Sequence, residues 1–116
     1  MFVLQGLLKA ESQEKILIFL LVKKSGYAKE IADFFGAGVT PIQKQLLKME
    51  EEKILTGSNV GKSRIFAINP QYRLKTQLEA LMAGALDAYP SDIKKRLVME
   101  RTKPRRTGKA ENKVFE

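Results

Sequence analysis

The sequence predicts a mainly α-helical α+β fold in which three helices precede one small β-hairpin and two further helices follow it. Three observations support this prediction: apolar residues at helical spacing with helix-start signals, one glycine-containing turn between two short β-type runs, and two more capped apolar stretches beyond it. With 116 residues, 44% apolar and 29% charged, the chain has the size and composition of one globular domain with a short appendage.

The first two helices are predicted from apolar spacing. The first is expected to follow Ser12 as its N-cap and to run through the apolar stretch 16–22. That stretch is shorter than the roughly 20 residues that cross a bilayer, so it indicates a buried helix and not a membrane span. A short second helix is expected from Tyr27, because three apolar side chains then recur at helical spacing: Ile31, Phe34 and Phe35.

The third helix has a clearly marked predicted start. Thr40 can cap the exposed N–H groups, Pro41 occupies the first helical position, and Gln43 can complete a capping box. One face is expected to pack and carries Ile42, Leu46 and Met49. The opposite face is expected to be presented and carries Lys44, Leu47, Lys48 and Glu51, with Gln43 beside them.

A β-hairpin is predicted next. Its first strand is expected over 54–56, its turn residues over 57–62 and its second strand over 63–68. Phe66 and Ile68 are expected to anchor the hairpin in the core.

Asn69 and Pro70 predict the start of a longer helix over 70–88, as its N-cap and first-turn proline. Its apolar stripe, spaced by four, three and four residues, consists of Leu74, Leu78, Leu81 and Ala85. Either a second copy of the chain or the chain's own core can cover such a stripe. Pro90 ends this helix, and a short last helix is predicted over 91–100.

Most of the positive charge lies near the C-terminus. The formal charge of the chain is +8, and the segment 94–113 alone holds nine Lys and Arg residues against Glu100 and Glu111. We expect residues 101–116 to form a basic, disordered tail. Such a tail either adds sequence-independent affinity for nucleic acid or only increases solubility.

The sequence contains no Cys and no His. Disulfides, metal sites with Cys or His ligands and a His general base are therefore excluded. No nucleophile stands near a recognisable base, so we expect a protein that is not an enzyme and uses no cofactor and no metal. We also expect a cytoplasmic location, without membrane association.

The order of helix, short helix, glycine turn, capped helix and hairpin over roughly 12–86 resembles the winged helix-turn-helix domain of ArsR-type and MarR-type bacterial and archaeal transcriptional regulators. The most specific segments are KEIADFFGAG, TPIQKQLLKMEEEKIL and GSNVGKSRIFAINP. The resemblance implies a DNA-binding domain over 1–88 with additional C-terminal helices, and a homodimer formed through the 70–88 helix. It also implies that the third helix enters the major groove of double-stranded DNA while the hairpin, or wing, contacts backbone or minor groove.

On matching positions, the resemblance implies that eight residues contact DNA. They are Thr40, Pro41, Gln43, Lys44, Lys48, Lys62, Ser63 and Arg64. Gln43 and Lys44 are expected to reach base edges, since Gln can pair with adenine and Lys with guanine acceptors. The residues expected to contact the DNA backbone are Thr40, Lys48, Lys62 and Arg64. Leu47 either touches a thymine methyl group or covers the hairpin.

The chain departs from the family pattern at Lys53, where members commonly carry Gly before the first wing strand. Lys adopts a left-handed conformation less readily than Gly, so the end of the third helix is expected to differ locally. The acidic run 50–52 would repel phosphate and is expected to point away from DNA.

Two functions follow from this pattern. The leading hypothesis is a homodimeric, sequence-specific DNA-binding regulator. The alternative is a winged-helix protein-interaction module with a basic nucleic-acid-binding tail, because a fold does not determine a function.

Overall fold

The computed structural model describes residues 1–99, which form five α-helices and one two-stranded antiparallel sheet. In chain order these elements are α1 (Glu11–Lys23), α2 (Ala28–Phe35), α3 (Val39–Glu51), β1 (Leu55–Val60), β2 (Ser63–Ile68), α4 (Lys75–Asp87) and α5 (Ser91–Met99). The predicted α+β class and order of elements are confirmed. The expected tail at 101–116 and position 100 of the predicted last helix lie outside the described residues. No helix within residues 1–99 has the length and apolar character needed to cross a membrane.

Helix α1 forms the centre of the core. Its apolar run from Ile16 to Leu20 is buried, and α1 contacts α2, α3, α4, α5 and β2. Each surrounding element contributes fully buried apolar side chains, among them Ile31, Leu46, Phe66, Met82 and Leu97. Burying one such side chain stabilises the fold by about 1.5–3 kcal/mol. The neighbouring elements therefore pack against the apolar run of α1, because each of them buries apolar side chains there.

The start of α1 differs from the prediction. The N-cap residue is Ala10, and Ser12 lies inside the first turn. The side-chain oxygen of Gln13 accepts hydrogen bonds from the backbone N–H groups of Lys9 and Ala10, at 3.1 and 3.2 Å. The helix start is thus stabilised by a glutamine that reaches back to the chain before it.

Thr40 does not cap α3, so this prediction was also wrong. The N-cap residue is Gly38, no side chain caps the helix, and Thr40 and Pro41 both lie in its first turn. The physical reason is that the first four N–H groups of a helix have no intrahelical acceptor, so Pro is tolerated beyond the first position. Gly36 ends α2 with φ +65°, a conformation that favours glycine, and allows this short connection.

The hairpin has a longer first strand and a tighter turn than predicted. Residues 57–60, expected in the turn, pair with β2 from Gly57↔Phe66 to Val60↔Ser63. Gly61 and Lys62 alone form the turn, and Gly61 has φ +60°, as the first central residue of a type II′ turn requires.

Gly26, in the connection between α1 and α2, joins the hairpin to the helices. Its N–H donates to the carbonyl of Phe66 at 3.0 Å, and its carbonyl accepts from the N–H of Phe66 at 2.8 Å. A Cβ atom at Gly26 would lie 2.7 Å from the Phe19 ring. The glycine therefore allows β2 to pair directly beside the end of α1.

Helix α4 begins at Lys75, five residues later than the predicted start. Asn69 does not cap it: its Nδ2 donates to the carbonyl of Lys53, and its Oδ1 accepts from the N–H of Gln71, both at 2.9 Å. Asn69 instead closes the base of the hairpin against the end of α3.

The apolar stripe expected to mediate dimerisation is divided between the core and the surface. Ala85 is buried in the chain's own core and Leu78 packs against that core, whereas Leu74 and Leu81 are 52% and 41% exposed. Ala85 therefore cannot contribute to a surface for a second copy, because the same chain already covers it.

Glu14 connects three segments that are distant in sequence. Its buried carboxylate accepts hydrogen bonds from the N–H groups of Val3 and Leu4, at 2.9 and 2.6 Å, and from the hydroxyl of Tyr89. Burial, followed by the hydrogen bond to Glu14, raises the pKa of Tyr89. This contact holds the N-terminal segment and the end of α4 against α1.

Candidate nucleic-acid interface

The start of α2, the start of α3 and the hairpin turn enclose one open groove of about 290 Å³. The residues that line it are Tyr27, Ala28, Lys29, Val39, Gln43, Lys62, Ser63 and Arg64. Four of the eight predicted DNA contacts are among them: Gln43, Lys62, Ser63 and Arg64. The fold thus brings Gln43 of α3 together with the hairpin turn and the start of β2, although about twenty positions separate them in the chain.

The other four predicted contacts, Thr40, Pro41, Lys44 and Lys48, lie outside this groove and are exposed. Lys44 and Lys48 stand four residues apart on the side of α3 opposite its buried face, which is formed by Ile42, Leu46 and Met49 as predicted. Leu47, at 45% exposure, lies beside them and remains accessible. The first three turns of α3 therefore present a basic strip with one apolar side chain.

Arg64 is arranged differently from the expectation for a phosphate contact. Its Nε donates to Oε1 of Glu50 at 3.1 Å, and its Nη2 donates to Oε2 of the same carboxylate. Its Nη1 donates to Oδ1 of Asn59 at 2.9 Å. The hydrogen bonds that Arg64 donates to Glu50 lower the pKa of Glu50 and raise the pKa of Arg64. The guanidinium of Arg64 is thus already bound to a carboxylate.

The acidic run at the end of α3 does not behave as one unit. Glu50 turns toward the hairpin and pairs with Arg64, whereas Glu51 and Glu52 are exposed. The sequence analysis did not anticipate the pair between Glu50 and Arg64, and its expectation that the run 50–52 points away from DNA stays a prediction.

Gly57 makes the Glu50–Arg64 pair possible. A Cβ atom at this position would lie 2.9 Å from both Nε of Arg64 and Cδ of Glu50. The sequence pattern suggested a turn residue, but Gly57 occupies a strand position over which two larger side chains cross.

No family model, curated protein or solved structure gives a significant match to this chain. Among residues 1–99, no group of three or more acidic side chains is placed to hold a metal ion. The chemistry that the groove and the strip offer is hydrogen bonding by Gln43 and Ser63 and attraction of anions by lysine side chains.

Sequence reasoning missed four residues of the groove: Tyr27, Ala28, Lys29 and Val39. Lys29 forms an exposed ion pair with Asp33 at 3.2 Å, a contact that contributes little to stability because water screens it. Lys29 lies on the solvent-facing side of α2. The side of α2 that faces α3 and the hairpin depends on the angle at which the helices cross. Residues close along the chain do not indicate this angle.

Proposed function

We propose that the protein is a winged helix-turn-helix transcriptional regulator that binds double-stranded DNA. One observation carries this proposal: Gln43 in the first turns of α3 and Lys62 in the hairpin turn line the same groove, beside the exposed lysine strip of α3. In this proposal α2 and α3 are the helix-turn-helix, α3 is the recognition helix, and β1 with β2 is the wing.

The recognition helix has the width that the major groove admits, and its N-terminal residues come closest to the bases. Gln43 and Lys44 are assigned to base edges, while Thr40 and the N-terminus of α3 are assigned to phosphate. Lys48 and Lys62 are assigned to the backbone. Arg64 is not among the proposed wild-type contacts, because Glu50 occupies its guanidinium.

Selection of bound sequences from a random duplex pool, followed by fluorescence anisotropy, tests the proposal. Lys44→Ala is expected to lower the preference for one base pair by about 1–3 kcal/mol. Lys62→Ala is expected to weaken binding to every duplex and to reduce the salt slope by about 0.9.

Lys9→Ala is the matched control, because Lys9 is exposed and precedes α1, whose 13 residues span roughly 20 Å and separate Lys9 from the groove. Unchanged affinity in the Lys44→Ala, Lys62→Ala double variant would contradict DNA binding through this face.

We propose in addition that the protein binds DNA as a homodimer. Leu74 and Leu81 remain exposed near and on α4, and Glu79 is the only charged residue between Lys75 and Asp87. An apolar surface of this kind suits a two-fold contact between copies. A palindromic selected site with half-sites about 34 Å apart would support the dimer.

One observation favours the alternative, a protein-interaction module with a basic nucleic-acid-binding tail. Tyr27 and Val39 are exposed and line the groove. Val60 is a further exposed apolar residue, directly before the hairpin turn. Affinity purification discriminates between the two functions. A stoichiometric protein partner that competes with duplex DNA for the α3 face supports the alternative, and a partner that leaves DNA binding unchanged contradicts it.

A further inference from the structure

A clamp of four residues, Glu50, Gly57, Asn59 and Arg64, ties the end of α3 to both strands of the hairpin. Arg64 donates four hydrogen bonds within it: two to Glu50, one to Asn59 at 2.9 Å and one to the carbonyl of Gly57 at 3.4 Å. A guanidinium has five N–H groups, so this clamp engages most of the donors that Arg64 possesses.

The clamp occupies the part of Arg64 that a phosphate would need. A carboxylate that binds both Nε and Nη2 takes the bidentate geometry with which Arg also binds phosphate. Arg64 lines the same groove as Lys62, and its side chain is 34% exposed. A DNA phosphate at the wing therefore has to compete with Glu50 for this cation.

We propose that Glu50 is a positioning residue that withholds Arg64 from the DNA backbone and thereby limits binding to duplexes of arbitrary sequence. This inference rests on the proposed DNA-binding function. Phosphate contacts raise affinity for every sequence, whereas specificity is the difference between the selected site and all others. The clamp also holds Lys62 and the wing at a set position relative to α3.

The experiment measures the affinity of the 116-residue chain for a random-sequence duplex between about 0.05 and 0.2 M salt. Glu50→Gln is expected to release Arg64 to a phosphate and to steepen the slope of log K against log salt by about 0.9. One added phosphate contact corresponds to an affinity gain of at most about eightfold at 0.1 M salt. The preference for the selected site over the random duplex is expected to fall, because the wing is no longer held against α3.

Two controls distinguish the effect of removing a negative charge from the effect of breaking the hydrogen bonds between Glu50 and Arg64. Glu51→Gln removes the same negative charge from the neighbouring exposed position, where the structure shows no bond to Arg64, and is expected to leave the slope unchanged. The double variant Glu50→Gln, Arg64→Gln has no arginine to release, so its slope is expected to return to the wild-type value.

Gly57→Ala provides an independent perturbation that alters no charge. Its added Cβ would lie 2.9 Å from Nε of Arg64 and from Cδ of Glu50, so at least one of these side chains has to move, and we expect the pair to be weakened. The slope is expected to steepen in the same direction as in Glu50→Gln. Circular dichroism and thermal unfolding establish that each variant is folded.

If folded Glu50→Gln and Gly57→Ala both show the wild-type slope, the inference is overturned. Weaker binding without a change of slope would also overturn it, because that result indicates a purely structural role for Glu50. In both cases the proposed function stands if the wild-type chain binds duplex DNA. A wild-type chain that binds no duplex overturns the proposed function and this inference with it.

Discussion

Lys53→Gly is expected to stabilise the protein, because Lys53 holds a left-handed conformation, with φ +69°, directly after Glu52, the C-cap residue of α3. Two hydrogen bonds impose this conformation. The N–H of Lys53 donates to the carbonyl of Glu50, and the N–H of Ile54 donates to the carbonyl of Met49, both at 3.0 Å. Together they form a Schellman motif, in which glycine usually occupies the left-handed position.

The expected gain combines two opposing backbone effects with the loss of one favourable charge interaction. A left-handed conformation costs a residue with a Cβ about 1–2 kcal/mol, and glycine removes that cost. Glycine also loses more conformational entropy on folding, at a cost of about 0.5–1 kcal/mol. The lysine charge near the helix C-terminus is favourable by roughly 0.3 kcal/mol and is lost. The net stabilisation is about 0.5 kcal/mol, or a rise in Tm of about 2–4 °C for a domain of this size.

Urea and thermal unfolding of wild type, Lys53→Gly and Lys53→Ala measure this effect. Alanine keeps the Cβ and removes the charge, so the alanine variant is expected at or slightly below wild-type stability. Glycine and alanine then differ only in the backbone effect. Equal stability of the two variants would refute the argument that Lys53 is strained.

Three further predictions concern other parts of the fold. Tyr89→Phe removes the hydroxyl that donates to buried Glu14 and should lower the free energy of unfolding by about 1.5–3 kcal/mol in urea titrations; an unchanged midpoint would contradict it. Because Arg64 lowers the pKa of Glu50 below 4.5, the stability that this pair contributes is complete above pH 4.5 and is lost as the pH falls through the lower folded-state value. The difference in Tm between wild type and Glu50→Gln should therefore shrink in acid, and a constant difference would count against the pair. Leu81→Glu should convert a dimer to a monomer in light scattering without unfolding it, since Leu81 is 41% exposed, and a monomeric wild type would exclude the proposed contact.

The features predicted successfully from sequence are those that depend on residues close along the chain. The apolar run 16–20 is buried because no orientation of α1 can expose it cheaply. Ile42, Leu46 and Met49 share the buried face of α3 because 3.6 residues make a turn. Such patterns reflect burial, the largest favourable contribution to folding, and they therefore predict the order and type of the elements.

Helix starts were predicted less well. Ser12, Thr40 and Asn69 are typical cap residues, yet none of them caps its helix in the structure. A cap contributes only about 1 kcal/mol, so a competing contact of similar strength displaces it. For Asn69 that contact is the carbonyl of Lys53, sixteen positions away, which no local pattern reveals.

The candidate interface also has features that residues close along the chain predict and features that depend on tertiary contacts. The sequence by itself determined that α3 presents lysines opposite an apolar face and that a glycine turn carries Lys62, because helical periodicity and turn chemistry act over a few residues. Only the tertiary structure decided that Arg64 meets Glu50, that Lys29 joins the groove and that Ala85 belongs to the core. The charge of a side chain is readable from the chain. Whether that charge faces solvent or a carboxylate depends on which elements the buried core brings together.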